Sequence, residues 1–214
     1  LKYMGLEIQN IPKELQTYEM SLVAVKNDGL ALKYVNNKTH ELCLMAVQND
    51  GRVLEHIEEQ TPQLCFAAVK KYPYALQWVK EQTPEMCLIA VKKNPWLLEW
   101  VKEQTPKICF EAVKRDGNVL QFVKEQTPEL CLVAVEQNGS AFKWVEKQTP
   151  ELCFIAVDDD PTMLRYIKKQ TDAMCEIAIE KKPNMIKYVD DQTNEMCNSA
   201  IESDPLNIVH IKDP

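Results

Sequence analysis

Thr83-Pro84-Glu85-Met86-Cys87-Leu88-Ile89-Ala90-Val91-Lys92-Lys93-Asn94-Pro95-Trp96-Leu97-Leu98-Glu99-Trp100-Val101-Lys102-Glu103-Gln104 is one copy of a segment that returns every 22 residues. Thr opens each copy, at 17, 39, 61, 83, 105, 127, 149, 171 and 193. Seven residues on comes Ala (24, 46, 68, 90, 112, 134, 156, 178 and 200), always followed by Val or Ile. Nine full repeats therefore run from Thr17 to Pro214 without insertion. Residues 1–16 read as the second half of a further repeat, with a two-residue irregularity around Gly5. A fixed period of this length identifies a stacked-repeat architecture, so residues 1–214 are expected to form a single repeat domain.

Two helix starts lie in each repeat. In Thr-Pro-Glu, Thr caps, Pro takes the first helical position, where its missing N–H costs nothing, and Glu meets the positive end of the helix dipole. The second start is Asn or Asp before Gly or Pro, as at Asp28-Gly29, Asn94-Pro95 and Asp160-Pro161. A helix C-cap would need a positive φ after the Asx residue, which Pro cannot adopt. The Asx residue is therefore an N-cap. The spacing predicts helix A over about ten residues, such as 84–93, and helix B over about nine, such as 95–103. Neither is long enough to be stable alone. At 100° per residue, Met86, Cys87, Ala90 and Val91 form the apolar stripe of helix A. Leu97, Leu98 and Val101 form that of helix B. The fold class is all-α: an α-solenoid of tandem 22-residue helical hairpins, nine full units plus an N-terminal half unit. A leucine-rich repeat has a similar period, but its Leu-x-x-Leu-x-Leu core and Asn ladder are missing.

Composition narrows the function classes. The net charge is −7 and 27% of residues are charged. That balance argues against general affinity for nucleic acid or anionic lipid, which needs clustered Lys and Arg. No apolar run approaches the length of a membrane span. The opening Leu1-Lys2-Tyr3-Met4 has no signal-peptide pattern and starts partway through a repeat, so the chain reads as a piece of a longer protein.

Eight cysteines recur once per repeat: Cys43, Cys65, Cys87, Cys109, Cys131, Cys153, Cys175 and Cys197. Stacked helices lie about 8–10 Å apart, too far for disulfides along the ladder. No Cys-x-x-Cys supplies converging metal ligands. The structural reading is a small buried hydrophobe; redox sensing is the alternative. Unpaired cysteines favour a reducing, intracellular setting.

A second ladder runs along helix B: Tyr34, His56, Trp78, Trp100, Phe122, Trp144, Tyr166, Tyr188 and His210. It either seals the core between repeats or offers a stacking surface. Tyr74 and Trp96 sit two residues after the cap position, where exposure is expected. Charge is also uneven. Lys70-Lys71, Lys92-Lys93 and Lys114-Arg115 end helix A in three successive repeats. Later repeats place Glu136, Asp158-Asp159-Asp160 and Glu180 there. This is either an ordinary solvated face or a surface for an acidic partner or for head-to-tail contact between arrays.

The repeated Gln-Thr-Pro-Glu-Leu-Cys, well formed at Gln126-Thr127-Pro128-Glu129-Leu130-Cys131 and nearly so at Gln104-Thr105-Pro106-Lys107-Ile108-Cys109, resembles an uncharacterised helical repeat family abundant in giant DNA viruses of amoebae. The first two repeats (Tyr18, His40) and the last two (Asp172, Asn194) depart at the Pro position. The resemblance implies a viral origin and a setting in host cytoplasm or virion. It carries no activity with it.

The expected function is a non-catalytic scaffold for protein–protein interaction. Nothing in the sequence calls for a cofactor, a metal or a catalytic constellation: a repeat lays identical residues along a line, whereas catalysis needs different ones converging. The residues expected to meet a partner are Lys70, Lys71, Tyr74, Lys92, Lys93, Trp96, Lys114 and Arg115. The partner is a protein, with a host protein as one candidate. Nucleic-acid binding along the basic strip of the third to fifth repeats, or self-association into an architectural array, are the alternatives.

Overall fold

A computed structural model describes residues 8–212. The irregularity expected around Gly5 lies outside them. The described residues are all-α, without strands, and form a solenoid of helical repeats. Two compact units are present, Leu1–Glu111 and Ala112–Pro214.

Helix A begins where the sequence places it. The fourth repeat's helix spans Pro84–Lys93, with the Thr83 hydroxyl accepting from the Met86 amide at 3.3 Å. The same bond caps the helices at Tyr18–Asn27, His40–Asn49 and Pro62–Lys71 in the first unit. It also caps those at Pro128–Gln137, Pro150–Asp159 and Asn194–Ser203 in the second. Thr171, ahead of the helix at Asp172–Lys181, makes no such bond. The inner repeats bury the predicted stripe of helix A, as at Met86, Cys87, Ala90 and Val91; in the first repeat Met20 is exposed, and in the last Cys197 and Ile201 are half-buried. Leu88 and Ile89, at the edge of that stripe, are only half-buried.

Helix B corrects the expectation. It is a 3-10 helix of six residues, such as Pro95–Trp100, and not a nine-residue α-helix to Glu103. Its start is as predicted: the Asn94 side chain accepts from the Trp96 amide at 3.0 Å, in extended backbone. Its stop has a cause invisible to periodicity. Gln82, the last residue of the preceding repeat, reaches across the repeat boundary. Its Nε2 donates to the Trp100 carbonyl at 2.8 Å, and its Oε1 accepts the Lys102 amide at 2.9 Å. The side chain thus satisfies the backbone groups that a continuing helix would have paired. The chain turns extended at Val101 and is ready for the next Thr cap.

This glutamine clip recurs. Gln16 bridges Tyr34 O and Asn36 N; Gln60 bridges Trp78 O and Lys80 N. In the second unit Gln126, Gln148, Gln170 and Gln192 do the same. Within each unit, helix A packs on the helix A beside it and on the two helices B that flank it in sequence. The Ala of helix A is buried in every repeat, and the carbonyls of Ala46, Ala68 and Ala134 would lie within 2.2–2.7 Å of a Cβ on Gly29, Gly51 and Gly117. A Cβ on Gly117 would lie 2.2 Å from the Ala134 carbonyl, so at this junction Gly leaves the space for the close approach. No described glycine has a positive φ.

Candidate partner-binding surface

The last turn of helix A ends in cations in the third and fourth repeats. Lys70 and Lys71 close Pro62–Lys71, and Lys92 and Lys93 close Pro84–Lys93. Cations suit the negative end of a helix dipole. All four are exposed, and none forms an ion pair with another described residue.

Beside them lies an aromatic cluster. Tyr74 and Trp96 are 39% and 44% exposed, as expected of the second position after the cap. Tyr74 lies edge-on to Trp100, with ring centroids 5.8 Å apart, and its hydroxyl accepts from Asn94 Nδ2 at 2.7 Å. Tyr72 completes the group. It stacks on Tyr74 at 5.4 Å and on Trp78 at 6.5 Å. Sequence reasoning missed Tyr72, although a signal was present: it stands where other repeats carry a capping Asx, and helix B there has no side-chain cap. An Asx replaced by an aromatic ring exchanges a local hydrogen bond for surface.

Lys114 and Arg115 fall in the second compact unit, where both are exposed at the end of Pro106–Val113. The acidic positions of later repeats are used differently. Asp158 pairs with Lys181, Asp159 accepts the Gly139 amide at 2.8 Å, and Asp160 caps helix B at the Thr162 amide at 2.9 Å. That acidic run is largely committed to holding its own repeats together. The lysines of the third and fourth repeats are not.

The helix B ladder is half-buried in most repeats and exposed at Trp144 and Tyr166. Several of its rings carry the preceding cation over their faces: Lys33 on Tyr34, Lys143 on Trp144, Arg165 on Tyr166 and Lys187 on Tyr188. Trp78 and Trp100 follow Gln77 and Glu99 and have no such cover from a neighbour in sequence.

The eight cysteines are free thiols; seven are buried, and Cys197 in the last repeat is half-buried. Burial raises the pKa of Cys43, Cys65, Cys109, Cys131 and Cys153 above the ordinary thiol value. Burial pushes Cys87 to about 11. Cys175 also reaches about 11, by burial first and then by the nearby carboxylates, led by Asp172. These thiols stay protonated at neutral pH, the inert condition for a cysteine. Most are also hydrogen-bonded, a role that sequence reasoning did not assign. Cys65, Cys87, Cys109, Cys131, Cys175 and Cys197 place Sγ 3.4–3.8 Å from the Oε1 of the preceding glutamine. The thiol ladder thus braces the acceptor end of the clip.

Among the described residues, no group of His, Cys, Asp and Glu is arranged to hold a metal ion, and no helix is long and apolar enough to cross a membrane. Residues 105–149 match a family described as a domain of unknown function, DUF4116. Neither the curated proteins nor the solved structures contain a match to the chain.

Proposed function

We propose that this protein is a non-catalytic repeat scaffold that binds a protein partner through the third and fourth repeats. The observation that carries the reading is the coincidence of two departures from the repeat at one place. Four exposed lysines without ion-pair partners flank an aromatic group of Tyr72, Tyr74, Trp78 and Trp100, with Trp96 exposed nearby. Aromatic anchors that bury large area at small entropic cost dominate protein interfaces. Exposed positive charge outside any ion pair steers an acidic partner onto them. The repeat's resemblance to arrays of giant viruses makes a host protein the natural candidate, in a compartment that keeps the thiols reduced. The side chains common to all repeats are occupied by caps, clips and core, so selective contact falls to residues that vary.

Selection from a displayed peptide library against the full chain tests this. Recovered peptides are expected to carry Asp or Glu around an apolar or aromatic anchor. They should lose binding to Lys92→Glu/Lys93→Glu and, separately, to Tyr74→Ala/Trp96→Ala. Peptides that bind all three proteins alike would refute the surface. Retention of single-stranded nucleic acid at low salt, lost steeply as salt rises, would move the same surface to the nucleic-acid reading.

A further inference from the structure

The glutamine position occurs nine times between residues 16 and 192, and it is Gln at every one except Lys38. The substitution keeps half of the clip. Lys38 Nζ donates to the His56 carbonyl at 3.1 Å, the same backbone group that Gln Nε2 meets in other repeats. The other half is lost, because an ammonium group has donors and no acceptor. In neighbouring repeats the amides of Lys80 and Lys102 donate to a glutamine Oε1 at 2.9 Å. Their counterpart here is the Glu58 amide, and no acceptor among the described residues meets it. Cys43 has lost the same acceptor. Its Sγ lies 3.8 Å from the Lys38 backbone carbonyl instead.

The groove over this position is also enlarged. Its volume is about 530 Å³, against about 200 and 290 Å³ for the grooves of the next two repeats. Lys13, Lys33, Lys38 and His40 line it above the buried Val35 and Ile57. Glu58 and Glu59 line it too, with exposed side chains that compete for the lysines and hold any affinity to a modest level.

We infer that this groove binds a small oxyanion, a carboxylate or phosphate group. One of its oxygens takes the acceptor role of the absent glutamine, receiving the Glu58 amide. The Lys38 ammonium, which keeps two N–H groups beyond its bond to His56, supplies charge. The site is separate from the lysine and aromatic surface and stands or falls without it.

The experiment is an amide-resolved NMR titration of the full chain with inorganic phosphate and, separately, with succinate. Sodium chloride at matched ionic strength is the reference. The Glu58 amide is expected to shift saturably with at least one oxyanion. Phosphate alone points to a phosphoryl ligand, and succinate alone to a carboxylate. Lys38→Gln, which installs the residue other repeats carry and so preserves the fold, is expected to weaken binding roughly tenfold or more, as loss of a charged hydrogen-bond site does. A Glu58 amide that stays still, that moves equally with chloride, or that responds as strongly in Lys38→Gln overturns the inference.

Discussion

Gln82→Ala removes one clip between the third and fourth repeats, and its cost can be worked from the contacts it deletes. Gln82 Nε2 donates to Leu76 O at 3.1 Å and Trp100 O at 2.8 Å. Its Oε1 accepts the Lys102 amide at 2.9 Å and faces the Cys87 thiol at 3.6 Å. A net hydrogen bond contributes about 0.5–1.5 kcal/mol. Three backbone groups lose their partner, and the thiol bond is weak. Water reaches the exposed Lys102 amide and recovers part of that loss, so the expected destabilisation is about 2–3 kcal/mol. In a repeat array the damage stays near the affected junction, and a single global unfolding free energy blurs it. Site-resolved amide exchange under native conditions is therefore the primary assay, with urea unfolding beside it. Lys102 should lose protection strongly, while amides of the first repeat change little. A destabilisation below about 0.5 kcal/mol, or unchanged exchange at Lys102, would refute the view that the clip ends helix B and couples the repeats.

Three further outcomes follow from the same structure. Lys38→Gln completes the second repeat's clip, so its unfolding midpoint in urea should rise, by about 1 kcal/mol in stability. Gly117→Ala places a Cβ 2.2 Å from the Ala134 carbonyl and should cost more than about 1 kcal/mol, the scale of overpacking; Gly117→Pro should cost more still, because it also removes the amide donated to Gln137 Oε1 at 2.6 Å. The thiols give a pH dependence. A group whose pKa is raised by folding stabilises fully below its unfolded value, near 8.5, and that stability is lost as pH rises toward the folded value. With Cys87 and Cys175 at about 11, stability should fall between about pH 9 and 11, by at most about 1.4 kcal/mol per thiol for each tenfold difference in proton affinity between the folded and unfolded chain. Urea midpoints across this range should fall less steeply in Cys87→Ala/Cys175→Ala than in the parent; parallel curves would show that the buried thiols do not titrate as described.

The sequence disclosed what is local and periodic. Thr83-Pro84-Glu85 and Asn94-Pro95 each announce a helix start, and both caps form where they are written. The burial of Met86, Cys87, Ala90 and Val91 follows from their spacing on one helix. What lay hidden acts across the repeat boundary. Gln82 ends a helix 18 residues further along, and a polar side chain at the end of a charged segment gives no hint of such a partner. The length and type of helix B differ from expectation for that reason, since periodicity does not know where the backbone finds other partners. The cysteine ladder is legible as buried, but its bond to glutamine is not. At the candidate surface, Tyr74 and Trp96 stand out as large residues at an exposed position. Tyr72 is easily overlooked because its position reads as a capping slot, and a missing cap draws less notice than an added ring. Lys38 escapes in the same way: its meaning depends on what glutamine does elsewhere.

The division of labour between constant and variable residues is tested most directly by one comparison. A peptide selected on the parent chain is titrated by fluorescence anisotropy against the parent and against Lys92→Glu/Lys93→Glu, with urea midpoints measured on both. An affinity loss of at least about tenfold is expected, the scale of 1.4 kcal/mol, with the midpoints nearly equal because both lysines are exposed and outside any ion pair. Equal affinity for the two proteins would contradict it.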